Sequence, residues 1–237
     1  MKSFFPIMDQ KQVNYCLFDK GLNYFSFEET QNCTIKGIKK ICAGNSAFLQ
    51  NGKLTTKCWW NTLEHLIEVP ESYDEQVEMF RELFLDSCKI RMRSDVPIGT
   101  ALSGGLDSST VVGAMNFLGK RIDVQKNWQH AFVASMPYST IDETEYARKA
   151  AEHVGIEINR VPINAKVSPE EFLHEIYMCE NPIGTAPRVF LQTYGAIKKS
   201  GVSVTLDGHG ADELFGGYLF DLYYFGKKFI NNECKLK

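Results

Sequence analysis

The chain has 237 residues, 44% hydrophobic and 23% charged, with a formal net charge of −3 at pH 7; this is ordinary globular material for one or two domains, and nothing in it gives an electrostatic reason to expect nucleic acid. Its Lys clusters (Lys36, Lys39, Lys40; Lys198, Lys199; Lys227, Lys228) read as solvated surface. Seven cysteines, odd in number and without a CxxC pair, support neither a zinc site nor a disulfide framework and lead us to expect a reduced, cytoplasmic compartment, while no apolar stretch approaches the ~20 residues of a membrane helix and Phe4 to Met8, closed by Asp9, is too short for a signal-peptide core.

In chain order, the first part reads as β structure. Strands are predicted at Val13 to Asp19, Leu22 to Phe27, Ser46 to Gln50 and Leu54 to Trp60, and Asn51-Gly52 predicts a type I′ hairpin turn between the last two. Near residue 65 the pattern changes, so the expected division is a β-rich piece over 1–65 and an α/β domain over 66–237. Tyr73 to Arg93 carries a helical stripe at Val77, Phe80, Leu83, Phe84 and Ile90. An apolar strand (Val96, Pro97, Ile98, Ala101, Leu102) runs into Ser-Gly-Gly-Leu-Asp-Ser-Ser at 103–109, and a helix-like run follows from Thr110 to Phe117. Next come a strand at His130 to Met136, a helix at Ile141 to Gly155, a strand at Glu157 to Pro162, helices near Pro169 to Met178 and Arg188 to Ser200, and a strand at Val202 to Leu206. Within the helix at 141–155, Glu143, Glu145 and Arg148 read as a solvated face with i, i+3 or i, i+4 pairs. Alternation of this kind predicts an α/β fold, a parallel sheet with helices on both faces, whose ligands bind at the carboxyl ends of the strands.

The heptad at that edge has a physical reading of its own. Gly104 and Gly105 allow close backbone approach to an anion, and the helix start behind them offers free N–H groups and the positive end of a dipole. Ser103, Ser108 and Ser109 add hydroxyl donors. Asp107 is an acid where an anion should bind, which is reasonable if a cation such as Mg²⁺ lies between them, since that ion takes one or two carboxylates plus substrate phosphates. The alternative is an ordinary helix N-terminus capped by Asp and Ser. Asp212 and Glu213 carry the same pair of readings, as metal ligands or as acids satisfying a helix N-terminus.

The heptad resembles the pyrophosphate-binding loop of the N-type ATP pyrophosphatases. A second block, DGHGADELFGGY at Asp207 to Tyr218, resembles the asparagine synthetase branch of that group, as do RMRSD at Arg91 to Asp95, IDETEYARKAAEHVG at Ile141 to Gly155, Thr34 to Ile38, and Asn51 to Leu54. The resemblance implies an adenine nucleotide alpha-hydrolase-like fold preceded by a β-rich remnant of a glutaminase domain. It implies an ATP-dependent amide-forming ligase: a carboxylate (aspartate or a related acceptor) is adenylated with release of pyrophosphate, then aminated with release of AMP. Residue by residue, it implies that Leu102, Ala134, Asp207 and Gly208 hold adenosine through their backbone, that Ser103, Gly104, Gly105, Asp107 and Ser108 hold pyrophosphate, and that Asp107 and Asp212 hold Mg²⁺. It places Asp107, Asp212 and His209 at the chemistry.

Two departures from the family pattern shape further expectations. Family members carry an N-terminal glutaminase domain with a cysteine nucleophile, whereas here Lys2 follows Met1 and residues 13–60 match only its last strands. The family's synthetase domain also continues past DELFGGY. The expectation is a fragment that does not hydrolyse glutamine and draws ammonia from solvent or a separate glutaminase. His209 stands where asparagine synthetases have a glutamate, and an imidazole can be neutral or charged near pH 7, so a different acceptor, another carboxylate or a ring-closing amine, is the alternative expectation.

Overall fold

The structure, a computed structural model, describes residues 30–33, 37–121, 124, 127–179 and 187–218. The strands expected at Val13 to Asp19 and Leu22 to Phe27, and the segment Thr34 to Lys36, lie outside the described residues. The chain divides into two compact units, one of Met1–Glu71 with Ile176–Thr185, the other of Ser72–Glu175 with Ala186–Lys237.

In the first unit, β1 (Asn45–Gln50) and β2 (Lys53–Cys58) form an antiparallel hairpin with Gln50 opposite Lys53. Asn51 and Gly52 take φ of 50° and 73°, the pair of positive values that a type I′ turn requires and that Asn-Gly tolerates best. β2 ends two residues before the expected Trp60, because the N–H groups of Trp59 and Trp60 both turn to the Gly44 carbonyl, at 2.8 and 3.1 Å. A short 3-10 turn at Thr62–His65 follows, with the Asn61 side chain accepting from Leu63 N at 3.2 Å. The Trp60 and His65 rings stack at 4.0 Å.

The second unit runs α1 (Tyr73–Arg91), β3 (Ile98–Ala101), α2 (Leu106–Gly119), β4 (Gln129–Ser135), α3 (Thr144–Val154), β5 (Ile158–Pro162), α4 (Pro169–Cys179, of which the residues up to Glu175 belong to this unit), α5 (Pro187–Lys199), β6 (Val204–Thr205) and α6 (Ala211–Phe215). Among the described residues its four strands are all parallel, in the order β5-β4-β3-β6. The chain therefore builds outward from β3 through β4 to β5, then returns to place β6 on the other side of β3. The carboxyl ends of β3 and β6 flank this reversal, where an open parallel sheet leaves a crevice.

Helices cover both faces, as expected, and β4 shows why. Side chains alternate along a strand, so Ala131 and Val133 join Val112 of α2 and Ala147 and Ala151 of α3, while Phe132 between them joins Ile197 of α5 and Val202 on the other face. α2 is apolar nearly all round because it is covered on two sides: Val112 belongs to the β4 cluster, and Val111, Ala114, Met115 and Leu118 pack with Cys88 and Met92 from α1 and its C-terminal end. Gly99 leaves room on β3 for side chains from the neighbouring β4 and from the segment before β6. A Cβ there would lie 3.0 Å from Val202 Cγ1 and 3.4 Å from Phe132 Cε2.

Several boundaries differ from expectation for local reasons. α2 begins at Leu106 rather than Thr110, so the LDSS of the heptad is already its first turn. α3 begins at Thr144 rather than Ile141, because Ser139 and Asp142 close two turns first and the Asp142 carboxylate then accepts from Thr144 N at 3.0 Å. The expected α1 stripe is only partly the buried one. Phe84 packs inward with Leu85, Cys88 and Met92, whereas Val77, Phe80, Leu83 and Ile90 remain about half exposed among the described residues.

Candidate active site

β3 ends at Ala101, and Leu102 is buried with its N–H on the Phe132 carbonyl at 2.8 Å. The chain then turns at Gly104, φ 85°. A Cβ at this position would sit 2.3 Å from both Ala147 N and Tyr146 C, so the turn lies directly on the backbone of α3's first turns and only glycine fits. Gly105 is the N-cap residue of α2, and no side chain caps the helix. The heptad thus meets the helix start without a side-chain cap, its N-cap residue being a glycine, and places Asp107 in the first turn. Its serines are bonded to one another instead: Ser103 Oγ accepts from Gly105 N at 3.1 Å, and Ser108 Oγ accepts from Ser103 N at 3.2 Å and lies 3.0 Å from Ser103 Oγ. Asp107 is half-buried in α2's first turn.

The second block follows β6. Leu206 N extends the ladder by donating to the Gly99 carbonyl at 2.9 Å. The Asp207 carboxylate then accepts from Ala101 N through Oδ1 at 2.6 Å and from the Tyr194 hydroxyl through Oδ2 at 2.9 Å. Burial, and then the Asp207 charge beside it, push the Tyr194 phenol above the ordinary tyrosine range. Gly208 brings the two blocks together, since a Cβ there would lie 2.8 Å from Ser108 N and 2.9 Å from the Asp107 carbonyl carbon. Gly210 turns with φ 96° into α6, which holds Asp212 and Glu213 in its first turn. The Tyr218 hydroxyl donates to Glu213 Oε1 at 2.7 Å, and that bond holds the Glu213 carboxyl below the usual glutamate range. His209 is exposed, its ring 5.8 Å from that of Phe190.

Together these parts enclose a cavity of about 350 Å³. Leu102, Ser103, Asp107, Ser108, Ala134, Gly208, His209 and Asp212 all line it. Gly104, Gly105 and Asp207 stand behind the wall: Gly104 against α3, Gly105 as the cap of α2, and the Asp207 side chain committed to Ala101 and Tyr194. The two glycine blocks contribute mainly polar residues to the lining; β4 and the loop after it contribute the apolar Phe132, Val133, Met136 and Ile141, with Glu143 beyond them. The lining includes the carboxylates of Asp107, Glu143, Asp212 and Glu213 but no lysine or arginine among the described residues. An anion here is met by backbone N–H groups, a helix dipole and the hydroxyls of Ser103 and Ser108, with no lysine or arginine among the described residues to balance its charge. No group of three or more His, Cys, Asp and Glu converges on a metal position among the described residues. Asp107 and Asp212 supply two carboxylates, which suits an ion whose remaining ligands are phosphates and water.

One wall escaped the sequence reading. Val189, Phe190, Thr193 and Tyr194 share a face of α5 and line the cavity. Arg188 fixes that helix, donating to the carbonyls of Asn164 and Lys166 at 3.0 and 2.8 Å and pairing with Glu175 at 2.8 Å. The i, i+1, i+4, i+5 spacing marks these four residues as one helical face, but spacing does not say that the face meets a cavity. Glu143, read as solvated surface, is exposed and also lines the rim. Its neighbours behave as expected, with Arg148 pairing to Glu145 at 3.0 Å and to Glu152 at 2.5 Å.

Residues 79–232 match the family model described as asparagine synthase. A curated relative, the glutamine-hydrolyzing asparagine synthetase 1 of Bacillus subtilis (strain 168), is 30% identical over 76% of this chain and 27% of its own length. The amidase chry2 of Gibberella zeae is 31% identical over 62% of this chain and 23% of its own length. The chain thus spans about a quarter of each of these relatives. A solved structure, a U34-tRNA thiolase from Methanococcus maripaludis, aligns with a TM-score of 0.34 at 18% identity, over 66% of this chain and 56% of that one, too loosely to bear on the site. No helix among the described residues is long and apolar enough to cross a membrane.

Proposed function

Because the chain belongs to the asparagine synthase family, we propose that its cavity binds ATP and a carboxylate and serves an ATP-dependent, AMP-forming amide ligase. The observation that carries this reading is the convergence of two separate glycine-containing blocks on one cavity at the carboxyl edge of a parallel sheet, the first through Ser103, Asp107 and Ser108, the second through Gly208, His209, Gly210 and Asp212. In the proposed reaction a carboxylate oxygen of the substrate bonds to the α-phosphorus of ATP, and the bond from that phosphorus to its bridging oxygen breaks with the electron pair leaving on pyrophosphate. The nitrogen of ammonia or an amine, supplied by solvent or a separate glutaminase, then bonds to the activated acyl carbon. The bond from that carbon to the AMP oxygen breaks, and the nitrogen gives up a proton.

The residues divide this work by position. Ser103, Asp107 and Ser108, at the uncapped first turn of α2 that the Gly104 turn positions, face charge that gathers on the leaving pyrophosphate, and fixed N–H donors at a helix start lower the barrier because they need no reorientation. Leu102 and Ala134 present backbone and apolar surface for the nucleoside. Asp107 and Asp212 would hold Mg²⁺, which when bound neutralises phosphate charge and orients the leaving group. His209 lies on the rim, where an imidazole can take a proton from an incoming amine.

Pyrophosphate exchange into ATP, dependent on an added carboxylate and on Mg²⁺, tests the proposal. Exchange with aspartate or a related acid is the expected result; Mg-ATP binding without exchange for any acid would reduce the site to a nucleotide-binding module. His209 favours a second reading in which the acceptor is another carboxylate or the amine closes a ring, because imidazole lacks the fixed negative charge that the family's glutamate supplies. On that reading His209→Glu raises aspartate-dependent exchange about tenfold, roughly 1.4 kcal/mol of barrier, and efficient aspartate turnover by the parent chain refutes it.

A further inference from the structure

The loop from β4 to α3 carries a residue that the reaction has not yet used. Met136, Pro137, Tyr138 and Ser139 form a tight turn in which the Met136 carbonyl accepts from Ser139 N at 3.0 Å. Pro137 occupies its second position, and Tyr138, in the third, has φ 70°. That is the pattern of a type II turn, whose third position calls for glycine or asparagine. A tyrosine backbone held in the left-handed region is strained, and such strain persists only where the surrounding structure imposes it. The side chain gains nothing in return from the fold, because Tyr138 is fully exposed. Two neighbours in the same loop, Met136 and Ile141, line the apolar side of the cavity beside Phe132 and Val133.

We propose that Tyr138 is the residue that covers the nucleobase, its ring closing over the apolar side of the cavity and stacking on the base of a bound nucleotide. The inference rests on the ATP-binding reading of the cavity and adds to it the group that holds the base on its open side. The chemistry fits the position. The polar side of the cavity takes phosphates, and the apolar side of β4 and its loop takes a flat heterocycle. An exposed aromatic ring on a two-residue corner is free to lie flat on that heterocycle's outer face, and base stacking on an aromatic side chain is sequence-tolerant and strong. The turn also fixes where the ring starts from, since Pro137 removes one backbone torsion from play.

Calorimetric titration of the 237-residue chain with Mg-ATP and with Mg-tripolyphosphate, for the parent, Tyr138→Phe and Tyr138→Gly, decides the matter. Tyr138→Phe should keep the parent's affinity for Mg-ATP. Tyr138→Gly should lose about tenfold or more for Mg-ATP, keep its affinity for Mg-tripolyphosphate, which has no base, and melt at a higher temperature than the parent because the strain is gone. Equal Mg-ATP affinity in the parent and Tyr138→Gly overturns the proposal and leaves the ATP reading standing. A parallel loss for both ligands also overturns it, because the turn would then act on the phosphates. A parent that binds neither ligand refutes the ATP reading itself.

Discussion

Tyr194 and Asp207 show how a single bond couples the site to pH. The Tyr194 phenol is held above its ordinary pKa, first by burial and then by the Asp207 charge that accepts its proton. A tyrosine in the unfolded chain ionises near pH 10, and the folded state keeps the proton longer. Its contribution to stability is therefore complete below about pH 10 and is lost as pH rises from there toward the folded pKa. The melting temperature of the parent should fall more steeply above pH 10 than that of Tyr194→Phe, which itself starts about 1 to 3 kcal/mol lower because one Asp207 oxygen loses its donor; parallel alkaline profiles would show that the bond is not the coupling. Asp107 makes a second case. Asp107→Asn keeps its size and removes its charge, so the gain in ATP affinity on adding Mg²⁺ should shrink about tenfold, about 1.4 kcal/mol, and an unchanged gain would assign Asp107 to α2's dipole alone. These residues differ in how visible they were. Asp107 stood out because an acid inside an anion-binding pattern needs an explanation. Tyr194 did not, because its meaning comes from Asp207, and no rule of spacing links residues that meet only when β6 returns beside β3.

Among the elements, the glycine turn and α3 act as a unit. Gly104 combines a left-handed backbone with a path that runs against the backbone of Tyr146 and Ala147. Gly210 has a left-handed backbone too, φ 96°, but open space around its Cα. Alanine at Gly210 should therefore cost about 1 to 2 kcal/mol from conformation alone, while alanine at Gly104 adds an overpacking cost of about 1 to 3 kcal/mol and displaces the loop. Denaturant titration of the two variants checks this, and equal losses would mean that α3 yields without penalty. The strands and helices of the second unit were legible because period two and period 3.6 were both present, most clearly in β4, where alternate residues serve opposite faces. α1 was read less well. Its stripe is continuous in sequence, yet only the half toward Cys88 and Met92 meets α2, and a hydrophobic pattern does not say how far its partner extends. α6, with five residues, is too short for any periodicity to register.

For the molecule as a whole, a ligand that binds only the folded state stabilises it by mass action. Mg-ATP at 100 times its dissociation constant adds about 2.7 kcal/mol, and for a domain of 150 to 250 residues each kcal/mol raises the melting temperature by roughly 2 to 4 °C. A rise of roughly 5 to 11 °C is expected in differential scanning calorimetry, and no rise at millimolar Mg-ATP would count against the cavity as a nucleotide site. The composition of that cavity has one more consequence. Four acidic residues and no lysine or arginine line it among the described residues, so on the proposed reading bare ATP meets repulsion from the carboxylates against attraction from backbone N–H groups and the serine hydroxyls. The same nucleotide with a divalent ion loses much of that repulsion. On the proposed reading, occupancy should then track the concentration of free magnesium at constant total ATP, so the site would register the ionic state of its surroundings as well as the supply of nucleotide.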